Sequence, residues 1–348
     1  MTFTSWRPIL AAFAVLLAVF AAGPASAQQP TKVNPTADAV QEQQLLDALK
    51  STGNPAVTGR ISIPDQRAGS LIQPAGRDWQ QWRQTTLPRI GAVAIVGMTI
   101  VLLIFLAVKG RIKVDAGLSG QQVERFNSVE RFAHWLTATA FVILALSGLN
   151  ITFGRLLLMP VVGADAFHVI SQLAKYLHNY MSFAFVIGLV MMFVQWALFN
   201  IPTIRDIRWI AAGGGIFGKS HPPAAKFNAG QKFVFWVTIL GGATMAVSGY
   251  VMLFPFYTVP AAIPGNLSAF TMTVEGLQTM SWLHGLVGML MIAMIVAHIY
   301  IGTVGMQGAF WSMGTGKVDS NWARQHHSVW AEGVLPKTSP STKPTPAE

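Results

Sequence analysis

Residues 281–303 read SWLHGLVGMLMIAMIVAHIYIGT. The run is long enough to cross a bilayer as one helix, and it carries a histidine near each end, His284 and His298. Fourteen residues separate them. On an α-helix that spacing is a rise of about 21 Å and a rotation about 40° short of four whole turns. Both rings therefore face nearly the same way, one at each depth of the membrane. A polar ring at that depth is costly without a partner, so this face calls for groups on other helices.

The rest of the chain fits such a surrounding. Of 348 residues, 52% are hydrophobic and only 11% charged, which excludes an ordinary soluble domain. Four more apolar runs are long enough to span, at Ile90–Val108, Glu130–Phe153, Leu173–Phe199 and Phe233–Phe254. There is no cysteine, which excludes disulfides, thiolate-held iron–sulfur clusters and c-type haem attachment. The net charge of +10 invites a nucleic-acid reading, but the basic residues flank the apolar runs and form no soluble patch.

Their distribution predicts topology. The segment 109–131 holds Lys109, Arg111, Lys113, Arg125 and Arg131, and the segment 200–232 holds Arg205, Arg208, Lys219, Lys226 and Lys232. The alternate loops hold Arg155 and Lys175, then none, and the tail adds Lys317, Arg324, Lys337 and Lys343. By the positive-inside rule the basic loops and C-terminus are cytoplasmic. The N-terminus agrees. Arg7, the apolar Ile9–Ala22 and Ala25-Ser26-Ala27 read as a signal peptide over 1–27, with an uncleaved anchor as the alternative. Residues 28–88 are polar and rich in proline. They read as an extracytoplasmic arm with one amphipathic helix near Ala37–Leu49 and otherwise extended chain, including Trp79 and Trp82; a disordered tail is the alternative.

This topology gives the histidines depths. His178 and His284 fall on the outer side, His134 and His298 on the inner side. Two depth-matched pairs suit axial ligation of two haem irons, whereas a single membrane histidine reads as a packing residue. Gly148, Gly188, Gly285 and Gly288 would let a flat macrocycle approach the backbone, or serve close helix packing. His168 is the rival outer ligand. His221, His326 and His327 read as solvent-facing or interface residues. In Lys226-Phe-Asn-Ala-Gly-Gln-Lys232, Asn228 and Gln231 have the spacing of a capping box; the same exposed helix start could bind a quinone carbonyl. Arg125, Arg131 and Lys232 could neutralise haem propionates or be plain positive-inside flanks.

The stretch Arg125-Phe-Asn-Ser-Val-Glu-Arg-Phe-Ala-His134-Trp, the pair Ser147-Gly148, the segment 226–232, Leu283-His284-Gly, Ala297-His298 and the tail from Gly316 to His327 together resemble the cytochrome b (gamma) subunit of membrane-bound formate dehydrogenase. The likeness covers about 120–330. It implies an all-α membrane protein, a four-helix di-haem cytochrome b bundle over 116–330. To this the chain adds one transmembrane helix over 89–115, the periplasmic arm over 28–88 and a cytoplasmic tail over 331–348. It implies two haem b groups, with His178 and His284 on the outer iron and His134 and His298 on the inner one, and a quinone pocket at Asn228, Gly230 and Gln231. The implied partners are an iron–sulfur (beta) subunit and a molybdenum- or tungsten-pterin (alpha) subunit that oxidises formate. The implied role is to anchor both in the bacterial inner membrane and to reduce menaquinone or ubiquinone. A cytochrome b subunit of a hydrogenase or of a thiosulfate or polysulfide reductase is the alternative, and a non-redox membrane scaffold a second.

Overall fold

The computed structural model describes residues 74–215, 221–258 and 267–336. The signal segment, the helix expected near Ala37–Leu49 and most of the arm lie outside them. The chain divides into two compact units, Met1–Ile72 with Phe256–Thr258, and Gln73–Pro255 with Val259–Glu348. The helices, strands and site residues named below belong to the second.

Among the described residues, five helices are long and apolar enough to cross a membrane. They are α1 (Leu87–Lys109), α2 (Ser128–Leu157), α3 (Ala164–Trp196), α5 (Ala229–Leu253) and α6 (Val274–Tyr300). A short α4 (Ile204–Ala211) lies between α3 and α5. Most spans run past the apolar limits expected, because a helix needs only its middle in lipid. The largest difference is α3, which starts nine residues early and carries Asp165, His168 and Ser171 in its added turns. The arm expectation also needs correcting. Pro74–Gln81 is helical and leads through a π-turn, Trp82–Thr86, into α1. Proline opens the helix, where its missing N–H is not needed, and Trp82 packs against Trp282 of α6 with ring centroids 5.6 Å apart and planes tilted by 41°.

Local signals start the helices. Asn127 caps α2 in a full box with Glu130, and Asn228 caps α5 in one with Gln231. Thr203 and Asp206 box α4, and the Thr273 side chain accepts from Gly276 N at the start of α6. The helices form two antiparallel pairs, α2 with α3 and α5 with α6; α3 also touches α5, and α1 packs on α6. The core between them is built from Ala133, Ala140, Phe185, Leu189, Trp196 and Phe235. Much apolar surface stays outside it, such as Val93, Val101, Leu146 and Leu240, as expected where lipid is the solvent.

At the end of the bundle that carries the basic loops, two short strands pair antiparallel, β1 (Gln122–Glu124) with β2 (Lys317–Asp319). The tail then forms α7 (Ser320–His326) and α8 (Ser328–Val334). Val114, Val318, Trp322, Ala323 and Ala331 make a second small core there.

Close approach of α2 and α3 depends on Gly188. A Cβ there would meet Thr137 Oγ1 and come within 3.0 Å of Thr137 N, and backbone cannot move aside as a flexible side chain can. Gly188→Val should therefore cost about 1–3 kcal/mol through overpacking, read as a lower midpoint of thermal unfolding in detergent. An unchanged midpoint would mean that the two helices are not held at this contact.

Candidate functional site

Two histidine pairs face each other inside the bundle. His178 of α3 and His284 of α6 have ring centroids 6.1 Å apart, and His134 of α2 and His298 of α6 have theirs 6.2 Å apart. The ring planes meet at 64° and 60°. A metal held between two imidazoles at about 2 Å from each nitrogen puts the centroids about 6 Å apart, so both spacings suit axial ligation.

The supporting contacts set the tautomer of the His178–His284 pair. Ser147 Oγ donates to Ile143 O at 2.7 Å and lies 2.8 Å from His178 Nδ1. Ser248 Oγ donates to Thr244 O at 2.7 Å and lies 2.9 Å from His284 Nδ1. A hydroxyl has one proton. With that proton given to the preceding turn, each serine accepts from Nδ1–H, and Nε2 of each ring is left with its lone pair for a metal. A glycine packs against the ring in each case. A Cβ on Gly148 would stand 3.4 Å from His178 Cε1, and one on Gly249 3.5 Å from His284 Cε1. In the His134–His298 pair, His134 Nδ1 is buried with no hydrogen-bond partner, so the fit there rests on the 6.2 Å spacing of the rings. The residues present fit a haem at each pair.

The other expected residues fall differently. His168 is exposed in the first turns of α3, and it is His178, not His168, that faces α6. Gly188, Gly285 and Gly288 serve helix packing, against Thr137, Leu87 and Met245. Asn228 and Gln231 cap α5: Asn228 Oδ1 accepts from Gln231 N at 2.9 Å, and Gln231 Oε1 from Asn228 N at 3.1 Å. The box uses both side-chain oxygens, so their NH2 groups remain as donors. A Cβ on Gly230 would stand 3.4 Å from the Trp209 ring, so Trp209 lies over this helix start.

The cations are engaged. Lys232 Nζ pairs with Asp206 Oδ2 at 2.8 Å and donates to Ile201 O at 2.9 Å. Arg131 reaches Gly314 O at 3.4 Å. Arg125 is buried. It donates to Lys226 O at 2.7 Å and reaches Gln231 Oε1 at 3.4 Å and His327 Nε2 at 2.9 Å. Its guanidinium also lies over Trp322 and Trp330. Lys226 Nζ meets Glu130 Oε1 at 2.6 Å.

His327, expected at a solvent-facing or interface position, is wholly buried. Its Nδ1 lies 2.8 Å from Ala225 O; a carbonyl only accepts, so Nδ1 carries the proton and Nε2 accepts from Arg125. The sequence shows His326-His327 but not the fold-back that buries the second ring. His221 Nε2 meets Asp115 Oδ2 at 2.8 Å, and the His221 ring stands 6.2 Å from that of His326.

A helical membrane bundle with facing histidine pairs has the layout of a b-type cytochrome. A family model described as "Prokaryotic cytochrome b561" matches residues 125–316, more than half of the chain, and the chain belongs to that family. Membership implies haem b, a membrane cytochrome b role in electron transfer, and a multi-pass membrane location. Among curated relatives, the formate dehydrogenase, cytochrome b556(fdo) subunit of Escherichia coli (strain K12) is 29% identical over 218 residues, 62% of this chain and 95% of that protein. The nitrate-inducible cytochrome b556(Fdn) subunit of formate dehydrogenase from the same strain is 28% identical over 220 residues, 60% of this chain and 90% of that one. The formate dehydrogenase, cytochrome b556 subunit of Haemophilus influenzae is 26% identical over 227 residues, 62% and 85%.

The docked tail should be sensitive to acid. Burial, then the Arg125 charge, push His327 well below its usual value; burial, then His221 and Arg125, push His326 down to about 4. The unfolded chain therefore binds these protons first. Their contribution to stability is full above about pH 6.5 and is lost as pH falls toward the folded values. The thermal midpoint should drop between about pH 7 and about pH 5, and drop less in His327→Gln, which lacks the titrating ring. Equal slopes in both proteins would contradict this.

Proposed function

We propose that this chain is the membrane electron-transfer subunit of a respiratory formate dehydrogenase in a bacterial inner membrane. An iron–sulfur subunit delivers electrons that a molybdenum- or tungsten-pterin subunit takes from formate, and quinone is reduced on this chain. The observation that carries the reading is the pair of facing histidine couples, joined to relatives that are named as formate dehydrogenase subunits. The four-helix core is 116–330. The arm that begins at residue 28, behind a signal over 1–27, lies in the periplasm, the added helix is α1 (Leu87–Lys109), and the tail over 331–348 is cytoplasmic.

His178 and His284 hold one haem b, and His134 and His298 the other. Each haem supplies reversible one-electron acceptance when bound. Ser147 and Ser248 hold their rings in the ligating tautomer. His284 and His298 stand about 21 Å apart in rise along α6, so charge carried between their two levels crosses most of the membrane, at about 2.3 kcal/mol per charge per 100 mV. At the inner end, the amide NH2 groups of Asn228 and Gln231 donate to a quinone carbonyl, with Gly230 between them under the Trp209 ring. Protons for quinone then come from the cytoplasm.

Asn228→Asp separates capping from quinone binding, since aspartate caps as well as asparagine but has no NH2. In membranes holding the complete complex, the variant should keep its haem content and lose about tenfold in formate-driven quinone reduction, the worth of one hydrogen bond. Unchanged turnover would leave Asn228 a cap only. Hydrogen, not formate, as the effective reductant would favour the hydrogenase reading. Ser147→Ala and Ser248→Ala should each weaken haem retention at the outer pair about 10–100-fold with the inner pair unaffected, read by haem content after dilution into detergent.

A further inference from the structure

Helix α4 presents three different faces. At about 100° per residue, Ile204, Ile207 and Ile210 share one arc, Arg205 and Arg208 a second, and Asp206 with Trp209 a third. The third arc is turned toward the protein. Asp206 Oδ2 accepts from Lys232 Nζ at 2.8 Å and from Thr203 N at 2.6 Å. Trp209 lies over Gly230, where a Cβ would stand 3.4 Å from its ring. Because Lys232 is in the first turns of α5, α4 sits level with the start of a membrane helix, at the basic end of the bundle.

The other two arcs are uncovered. Ile204, Ile207 and Ile210 are 67%, 63% and 66% exposed. Leu198, Phe199 and Ile201, also more than half exposed, extend the stripe back to the end of α3. Arg205 and Arg208 are exposed as well, and neither has an anionic partner among the described residues. Both line a cleft with Ile204, Trp209, His221 and Pro222. An apolar stripe this wide beside unpaired cations marks a helix lying in a membrane interface. The matching occupant is a lipid whose acyl chains cover the isoleucines and whose headgroup carries negative charge.

We propose that α4 and the cleft beside it form a binding site for an anionic phospholipid of the leaflet on the basic side. Arg205 and Arg208 take the phosphate, and the stripe from Leu198 to Ile210 takes the chains. This does not depend on the redox partners proposed above.

The test uses the full chain in nanodiscs of mixed phosphatidylcholine and phosphatidylglycerol, extracted into mild detergent, with co-purifying lipid measured by native mass spectrometry. The wild type should retain phosphatidylglycerol in preference. The variant Arg205→Gln with Arg208→Gln should lose that preference about tenfold, Arg205→Lys with Arg208→Lys should keep most of it, and Ile207→Glu should lose it through the other half of the site. Circular dichroism checks that each variant is folded. If a glutamine variant misfolds, the lysine and Ile207→Glu variants still decide. Equal retention in folded glutamine and wild-type chains would overturn the proposal, as would no preference in the wild type. Displacement of the lipid by inorganic phosphate alone would also overturn it, by marking a free-anion site.

Discussion

Four imidazoles held inside an apolar bundle set the terms for everything around them. In water each ring would be satisfied by solvent; at membrane depth the protein must supply the partner. It does so by pairing rings across helices, 6.1 Å and 6.2 Å apart, and by giving Nδ1 of His178 and of His284 a serine whose own proton is already spent. Helix α6 is shared by both pairs, so the spacing of His284 and His298 along it sets the distance between the two sites. The antiparallel pairing of α2 with α3 brings His134 and His178 to opposite ends of the α6 face.

The Ser147-Gly148 and Ser248-Gly249 dipeptides show the same solution used twice. Serine orients the ring, and the ring packs against the glycine, 3.4–3.5 Å from where a Cβ would be, an ordinary van der Waals distance. The helices differ, yet the local arrangement is the same: a serine acceptor at Nδ1 and a glycine beside the imidazole. At the basic end the need is different. Buried Arg125, Glu130 and His327 and the half-buried Lys226 form one cluster, held by the aromatic rings of Phe126, Trp322 and Trp330. That cluster ties the tail to the starts of α2 and α5, the latter the proposed quinone site.

The five spans were legible because lipid imposes length and apolarity on every crossing segment, and the pairing of histidines was legible because a helix has a fixed rise and rotation. Helix ends were less so. Hydropathy stops where the bilayer stops, whereas α3 continues through Asp165 and His168 into polar surroundings. The turn at Trp79 and Trp82 read as extended chain because its stabilising contact is with Trp282, about two hundred residues away. Ser248-Gly249 has no signature of its own in the sequence, since a serine and a glycine in a membrane helix are ordinary until a ring is seen beside them. Long-range polar pairs such as Arg125 with His327 have no local periodicity and appear only once the tail is folded back. The Asn228–Gln231 spacing was correctly legible as a capping box.

The central claim is that the two histidine pairs each ligate a haem, and the most direct measurement is haem per chain by the pyridine haemochromogen method, with reduced-minus-oxidised spectra. The account predicts two b-type haems in the wild type and one in each of His178→Ala and His134→Ala. Loss of both haems in either well-folded variant would contradict independent pairs, and no haem in a well-folded wild-type preparation would contradict the electron-transfer role itself.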